Sequence, residues 1–246
     1  MPVFFIASDQ MSEGAATLTG ELLHHLRESL RVKIGDRLAL ADETRRRFLV
    51  EVIRLDRQAL HGRILSQAVA PAPTKPSIVL GQSLLKGDRM DWVIQKATEL
   101  GVAGITPLVT DRGVVRPRAG RVTTQRARWQ RIALEAAQQS ERWEVPIISD
   151  PASVPDFIRD HQACESRLLL CERDGGPAVG AVPLPYDQGA SIVLMVGPEG
   201  GWREEEVVTA ERYEFLSVTL GERILRAETA ALAALSVIQN RLGELG

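Results

Sequence analysis

LMVGPEGGW, residues 194–202, is an aliphatic run that breaks abruptly into glycines. Extended back to Ser191, the run to Val196 has the uninterrupted apolar character of a strand buried on both faces. Gly197, Pro198, Glu199, Gly200 and Gly201 follow directly, and a helix is predicted to begin near Arg203. Strand, glycine loop and helix form the repeating unit of open α/β sheets, whose ligands sit beyond the carboxyl ends of the strands. Glycines in such a loop allow close backbone approach to a ligand and positive φ. A tight strand-to-helix turn without a ligand explains them equally well. A phosphate is disfavoured, because Glu204, Glu205 and Glu206 fill the first helical turn and already offset its dipole. The loop matches neither GxGxxG nor a P-loop.

A second strand end follows at LGERILRAETAALAAL, residues 220–235. Leu220 meets Gly221, and a helix is predicted from about Glu228 to Leu242 with Leu232, Leu235, Ile238 and Leu242 on one face. Leu220, Ile224 and Leu225 have the character of an apolar wall for an adenine-sized group, with Arg223 and Arg226 available to an anion. A plain strand-to-helix connection with a glutamate at the helix start is the competing explanation. Upstream, strands are predicted at 77–85, 105–109 and 167–171, and helices at 88–100, closed by Gly101, and at 123–139. The alternation implies an α/β domain with a largely parallel sheet.

AVAPAPTKP, residues 68–76, holds three prolines and little to bury. It marks a semi-rigid linker, placed at 71–76, between a first domain over 1–70 and a second over 77–246. In the first domain FLVEVIRL (48–55) and ALHGRIL (59–65) flank a polar break at Asp56–Gln58 and predict a hairpin. VKIGDRLAL (32–40) carries a Gly-Asp turn, and only Glu21–Leu30 has helical character. A small β-barrel-like module is expected.

The chain has 246 residues, 44% hydrophobic and 25% charged, with 30 basic and 32 acidic side chains and a formal net charge of −2. That excludes whole-chain disorder and a uniformly basic nucleic-acid coat. Two cysteines, Cys164 and Cys171, cannot build a disulfide framework and point to a reducing compartment. MPVFFIASDQ at the start lacks the basic region of a signal peptide, and no aliphatic string is long enough to span a bilayer, so the expected location is the cytoplasm. Charge is nonetheless uneven. Residues 112–131 hold seven arginines and no acid, and Arg45, Arg46 and Arg47 form a second run. The longer run points to phosphate contacts, whereas a short one is equally at home on a solvated face. No GxSxG elbow and no zinc-type ligand spacing occurs, so neither that hydrolase chemistry nor a metal is expected.

Four segments occur in a telling order: LGQSLLKGDRMDWVIQKATELGVAGITPLVTDRGVV, RWQRIALEAAQQSERWEVPII, MVGPEGGWREEE and LGERILRAETAALAAL. Together they resemble the RsmE family, the 16S ribosomal RNA uridine-N3 methyltransferases of the SPOUT class. The joint GPEGG and LGxRILRxETA signature is highly specific, and the likeness covers nearly all of 77–246. HHLRESLRVKIGDRLAL more loosely resembles the family's small PUA-like RNA-binding domain. Trp202 stands where Phe or Leu is more usual.

The resemblance implies a SPOUT domain with a C-terminal trefoil knot, an exception to the usual absence of knots. It implies S-adenosyl-L-methionine bound in the knot, a homodimer, and 3-methyluridine as product. The partner is then 16S rRNA, within the assembled small ribosomal subunit. Motif by motif, it assigns cofactor binding to Leu170, Cys171, Gly197, Pro198, Glu199, Gly200, Gly201, Leu220, Gly221, Arg223, Ile224, Leu225 and Arg226. Arg226 is the candidate for stabilising the uridine anion, and Glu228 or Glu199 for accepting the N3 proton. RNA phosphates fall to Arg45, Arg46, Arg47, Arg112, Arg116, Arg118 and Arg121. The sulfonium cation of this cofactor suits a loop followed by three glutamates.

Overall fold

Every second side chain of a strand points to the same face, so an unbroken apolar strand must be covered twice. Ser191–Val196 meets that demand. Ile192, Leu194 and Val196 enter one core and Val193 and Met195 another. A computed structural model of the chain describes residues 3–117, 120–172 and 176–245. The chain divides into two compact units, Met1–Ala72 with Ala137–Glu144, and Pro73–Ala136 with Val145–Gly246.

The smaller unit holds β1 (Val3–Ile6), β2 (Met11–Ser12), β3 (Ala15–Leu18), α1 (Gly20–His24), β4 (Arg37–Asp42), β5 (Arg46–Leu55) and β6 (Leu60–Val69). The larger holds β7 (Ser77–Ser83), α2 (Arg89–Glu99), β8 (Gly104–Val109), β9 (Ile147–Ile148), β10 (Ala152–Ser153), α4 (Val154–Asp160), β11 (Ser166–Leu170), β12 (Ser191–Val196), α5 (Glu204–Arg212), β13 (Leu216–Val218) and α6 (Ala227–Arg241). α3 (Val122–Gln139) starts in the larger unit, and its last residues are counted with the smaller.

In the larger unit the sheet order is β10-β8-β7-β12-β11-β13, with β9 also on β8, and every pairing is parallel. One face is covered by α2, α3 and α6 through residues such as Ile94, Trp129 and Leu235. The other face is covered by α4 and α5 through Phe157 and Ala210. Trp129 is buried, and its indole N–H donates to Asp91 Oδ1 at 3.1 Å, which satisfies the one polar atom of the ring. β12 and β13 lie on opposite sides of β11, so the chain crosses β11 between them by way of α5. α4 is an element the sequence pattern did not reveal. It is one short helix, started by Ser153 Oγ accepting the N–H of Asp156 at 3.2 Å. No helix among the described residues is long and apolar enough to cross a membrane.

The smaller unit is a six-stranded sheet in the order β1-β4-β5-β6-β3-β2, with β1 parallel to β4 and the remaining pairs antiparallel. Its core includes Phe4, Leu18, Leu40, Phe48 and Leu60. The N-terminal VFFI is therefore a structural strand. The predicted helix over Glu21–Leu30 is split, because α1 loosens into a π-helical turn at His25–Ser29.

The β4–β5 connection is built on buried Asp42. Its Oδ1 accepts from the Thr44 N–H at 3.0 Å, the Thr44 hydroxyl at 2.7 Å and the Arg46 N–H at 3.1 Å. Its Oδ2 accepts from Arg46 Nε at 3.0 Å. Burial pushes this carboxyl up, but the bonds from Thr44 and Arg46 together outweigh it and hold it below its usual value. A carboxyl so lowered contributes stability in full above about pH 4, lost as pH falls through its folded value. Asp42→Asn is therefore expected to lose about 1–3 kcal/mol at neutral pH. Urea unfolding from pH 7 to 3 should show the gap to wild type closing in acid.

Candidate functional site

Three neighbouring parallel strands, β12, β11 and β13, end side by side, and each is followed by a loop that cannot continue the sheet. Beyond their carboxyl ends lies a cavity of about 690 Å³, within the range of about 300–1,000 Å³ usual for small-molecule sites. Its wall includes Leu170 and Cys171 from the end of β11, all of Gly197, Pro198, Glu199, Gly200 and Gly201 after β12, and Leu220, Gly221, Arg223 and Leu225 after β13.

Ile224 and Arg226 are not on this wall. α6 begins at Ala227, and the turn into it carries Ile224 outward, to 60% exposure. Arg226 caps the helix, its carbonyl accepting the Ala230 N–H at 2.8 Å while its side chain stays exposed. Glu228 is buried in the first turn of α6, also off the wall, with Arg89 Nη1 at 3.9 Å from its Oε2.

The glycine loop is shaped by Trp202. Its indole N–H donates to the Leu170 carbonyl at 2.9 Å, tying the loop after β12 to the end of β11. A Cβ on Gly197 would lie 3.0 Å from the indole, a tight contact that the ring would have to shift to relieve. Gly201, at φ +70°, closes the turn by donating its N–H to the Pro198 carbonyl at 2.9 Å. Behind β13, a Cβ on Gly176 would come within 2.2 Å of the Ser217 carbonyl oxygen, a backbone approach that admits no side chain.

The three glutamates of the α5 start divide their roles. Glu206 spends both oxygens on backbone, Oε2 accepting the Arg203 N–H at 2.9 Å and Oε1 the Asp111 N–H at 3.0 Å. Glu205 is exposed and off the wall, and only Glu204 reaches the cavity. Among the described residues Glu172, Glu199 and Glu211 join it there, against two cations, Arg112 and Arg223. Sequence analysis overlooked Trp202, Glu172, Glu211 and the wall residues Val207 and Val208. A signal was present for some of them: 204, 207, 208 and 211 are spaced as one face of a helix.

The arginine runs are largely occupied. Arg46 pairs with Asp42 at 2.8 Å, Arg47 stacks at 3.9 Å over Trp143, and Arg45 pairs with Glu144. Burial lowers the Arg47 guanidinium from its usual value. Arg116 donates through Nη1 and Nη2 to the carbonyls of Thr110, at 2.5 Å, and Asp111, at 2.9 Å. Arg112 donates to the Gly200 carbonyl at 3.3 Å. Arg121 is exposed, and Arg118 lies outside the described residues.

Trp202→Phe keeps the ring and removes the indole donor. It is expected to cost about 1 kcal/mol, lowering the melting temperature by about 2–4 °C. Thermal unfolding of the two proteins measures it, and an unchanged midpoint would deny the Leu170 bond a structural role.

The RNA methyltransferase domain model matches residues 72–239, and the RNA methyltransferase PUA domain model matches 18–65. The chain is 35% identical to the ribosomal RNA small subunit methyltransferase E of Synechocystis sp., over 95% of this chain and 75% of that one. Against the Bacillus subtilis protein of the same name it is 31% identical, covering 96% and 94%. A crystal structure of a ribosomal RNA small subunit methyltransferase E from Neisseria gonorrhoeae bound to S-adenosyl methionine superposes with a TM-score of 0.87, at 32% identity and 98% coverage of both chains. With a family model spanning most of its length and relatives above 30% identity matched over three quarters or more of their own length, the chain belongs to the ribosomal RNA small subunit methyltransferase E family.

Proposed function

We propose that this protein is an S-adenosyl-L-methionine-dependent methyltransferase that methylates N3 of a uridine in 16S rRNA. The observation that carries the cofactor assignment is the charge of the cavity wall: among the described residues, four carboxylates face two guanidiniums in a glycine-lined space at the ends of parallel strands. A phosphorylated ligand would be repelled there, whereas a sulfonium cation is attracted. The apolar side chains Leu170, Leu220 and Leu225 supply a surface for an adenine ring. The bound relative from Neisseria gonorrhoeae supports the same ligand.

When bound, the cofactor supplies an electrophilic methyl group. The chain's own tasks are then to hold the uridine in line with it and to remove the N3 proton. Glu199, on the cavity wall and half-buried, is our candidate for accepting that proton directly or through water. Glu228 does not line the cavity and is assigned a structural part. Arg226, exposed between wall residues Leu225 and Ala227, is free to reach a substrate and stabilise the uridine anion. Arg112 at the cavity and exposed Arg121 are the candidate phosphate contacts. Arg116 and the Arg45–Arg47 run already have partners within the chain.

The family likeness further supports a trefoil knot in the larger unit, a homodimer, and action in the cytoplasm on the assembled small subunit. The crossing of the chain past β11, between β12 and β13, fits the knot. Cys164 and Cys171 form no disulfide with each other, which fits a reducing compartment.

Incubation with methyl-labelled S-adenosylmethionine and small subunits from cells lacking the endogenous enzyme should yield labelled 3-methyluridine on nucleoside analysis. Label in another nucleoside would overturn the N3 assignment, and intact binding without label would overturn the 16S substrate. Arg226→Ala is expected to keep cofactor affinity and lower kcat by about 100-fold. Full turnover in that variant would remove Arg226 from the chemistry.

A further inference from the structure

Three segments meet at one guanidinium. Arg89 opens α2 after the loop that leaves β7, and β7 is the sheet neighbour of β12. Its Nε donates to the Lys86 carbonyl at 3.2 Å, which fixes the direction of the group. Its Nη1 then lies 2.6 Å from Glu199 Oε1, on the glycine loop, and 3.9 Å from Glu228 Oε2, on α6. Glu228 is only 8% exposed, and its Oε2 receives no hydrogen bond among the described residues. A buried carboxylate in that condition needs a nearby cation, and Arg89 is the one that faces it.

Arg89 itself does not line the cavity, whereas Glu199 does. We propose that Arg89 is the positioning residue of the cofactor cavity. It pins the Glu199 carboxylate to the wall, and buried Glu228 anchors the guanidinium from behind. The charge balance favours this division. One cation shared by two acids leaves a net negative charge, and the more exposed partner is Glu199, at 34% against 11% for the Glu228 side chain. That charge is presented to the cavity, on whose wall Glu199 lies. Without Arg89 the two acids would face each other unscreened, and Glu199, on a loop, would swing away.

The inference rests on the cofactor assignment above, and a double-mutant cycle read by calorimetric titration with S-adenosylmethionine separates the two. Arg89→Met and Glu199→Gln are each expected to weaken binding about tenfold, and the double variant no more than either alone, because both remove the same interaction. Arg89→Lys should recover most of the loss. An Arg89 that merely supports the fold would give losses that multiply in the double variant and a lowered melting temperature, which overturns the proposal. Wild-type binding by Arg89→Met overturns it too. If Arg89→Met does not fold, Arg89→Lys carries the cycle, expected about threefold weaker alone and no weaker again on top of Glu199→Gln. A wild-type protein that takes up no S-adenosylmethionine overturns both assignments, whereas wild-type binding with multiplying losses overturns only the part given to Arg89.

Discussion

The double burial of the central parallel strands is the constraint on which the larger unit depends. β12 has Ile192, Leu194 and Val196 in one core and Val193 and Met195 in the other. A strand with no solvent face has nowhere to display chemistry along its length. Its functional groups are therefore displaced to the loops beyond its carboxyl end, where helices begin and backbone groups are not yet paired. The cavity lies there because β11 ends between β12 and β13, so the loops that leave all three strands wall in the space above their ends.

Electrostatics within that space follow from which acids are already used. The α5 start carries three consecutive glutamates, but Glu206 is consumed as a backbone acceptor and Glu205 faces outward. The acidic character of the wall comes from Glu204 together with Glu172 after β11, Glu199 in the glycine loop and Glu211 two turns further along α5. Arg89 and Glu228 extend the same network away from the cavity. The site is thus a graded arrangement, with a buried acid and a shared cation behind a more exposed acid. Burial makes the inner members expensive to separate, and exposure leaves the outer one responsive to a ligand.

The arginines make the opposite point about charge runs. Arg45, Arg46 and Arg47 are consecutive, yet each has a different partner: Glu144, Asp42 and the Trp143 ring. Two of those partners lie about a hundred residues away in sequence, beyond what local charge density reveals. Planar guanidinium groups suit such stacked and forked contacts, so a basic run is as easily structural as it is a nucleic-acid contact. Arg116, which holds the Thr110 and Asp111 carbonyls, carries the same message inside the longer run.

Local pattern was enough for β7, β8, β11 and β12 and the long helices of the larger unit, the hairpin around Asp56–Gln58, and the two glycine loops, because each is written in contiguous residues. It was not enough for α4, a single short helix, or for the N-terminal strand, whose partner is β4. Tertiary structure alone decided that Trp202 reaches back to Leu170, that Ile224 turns outward while Leu225 turns in, and that Glu199 and Glu228 share Arg89. Sequence specifies periodicity and turn chemistry, which act over a few residues. Which side chains meet depends on the order in which strands are laid side by side, and that order brings together residues more than a hundred positions apart.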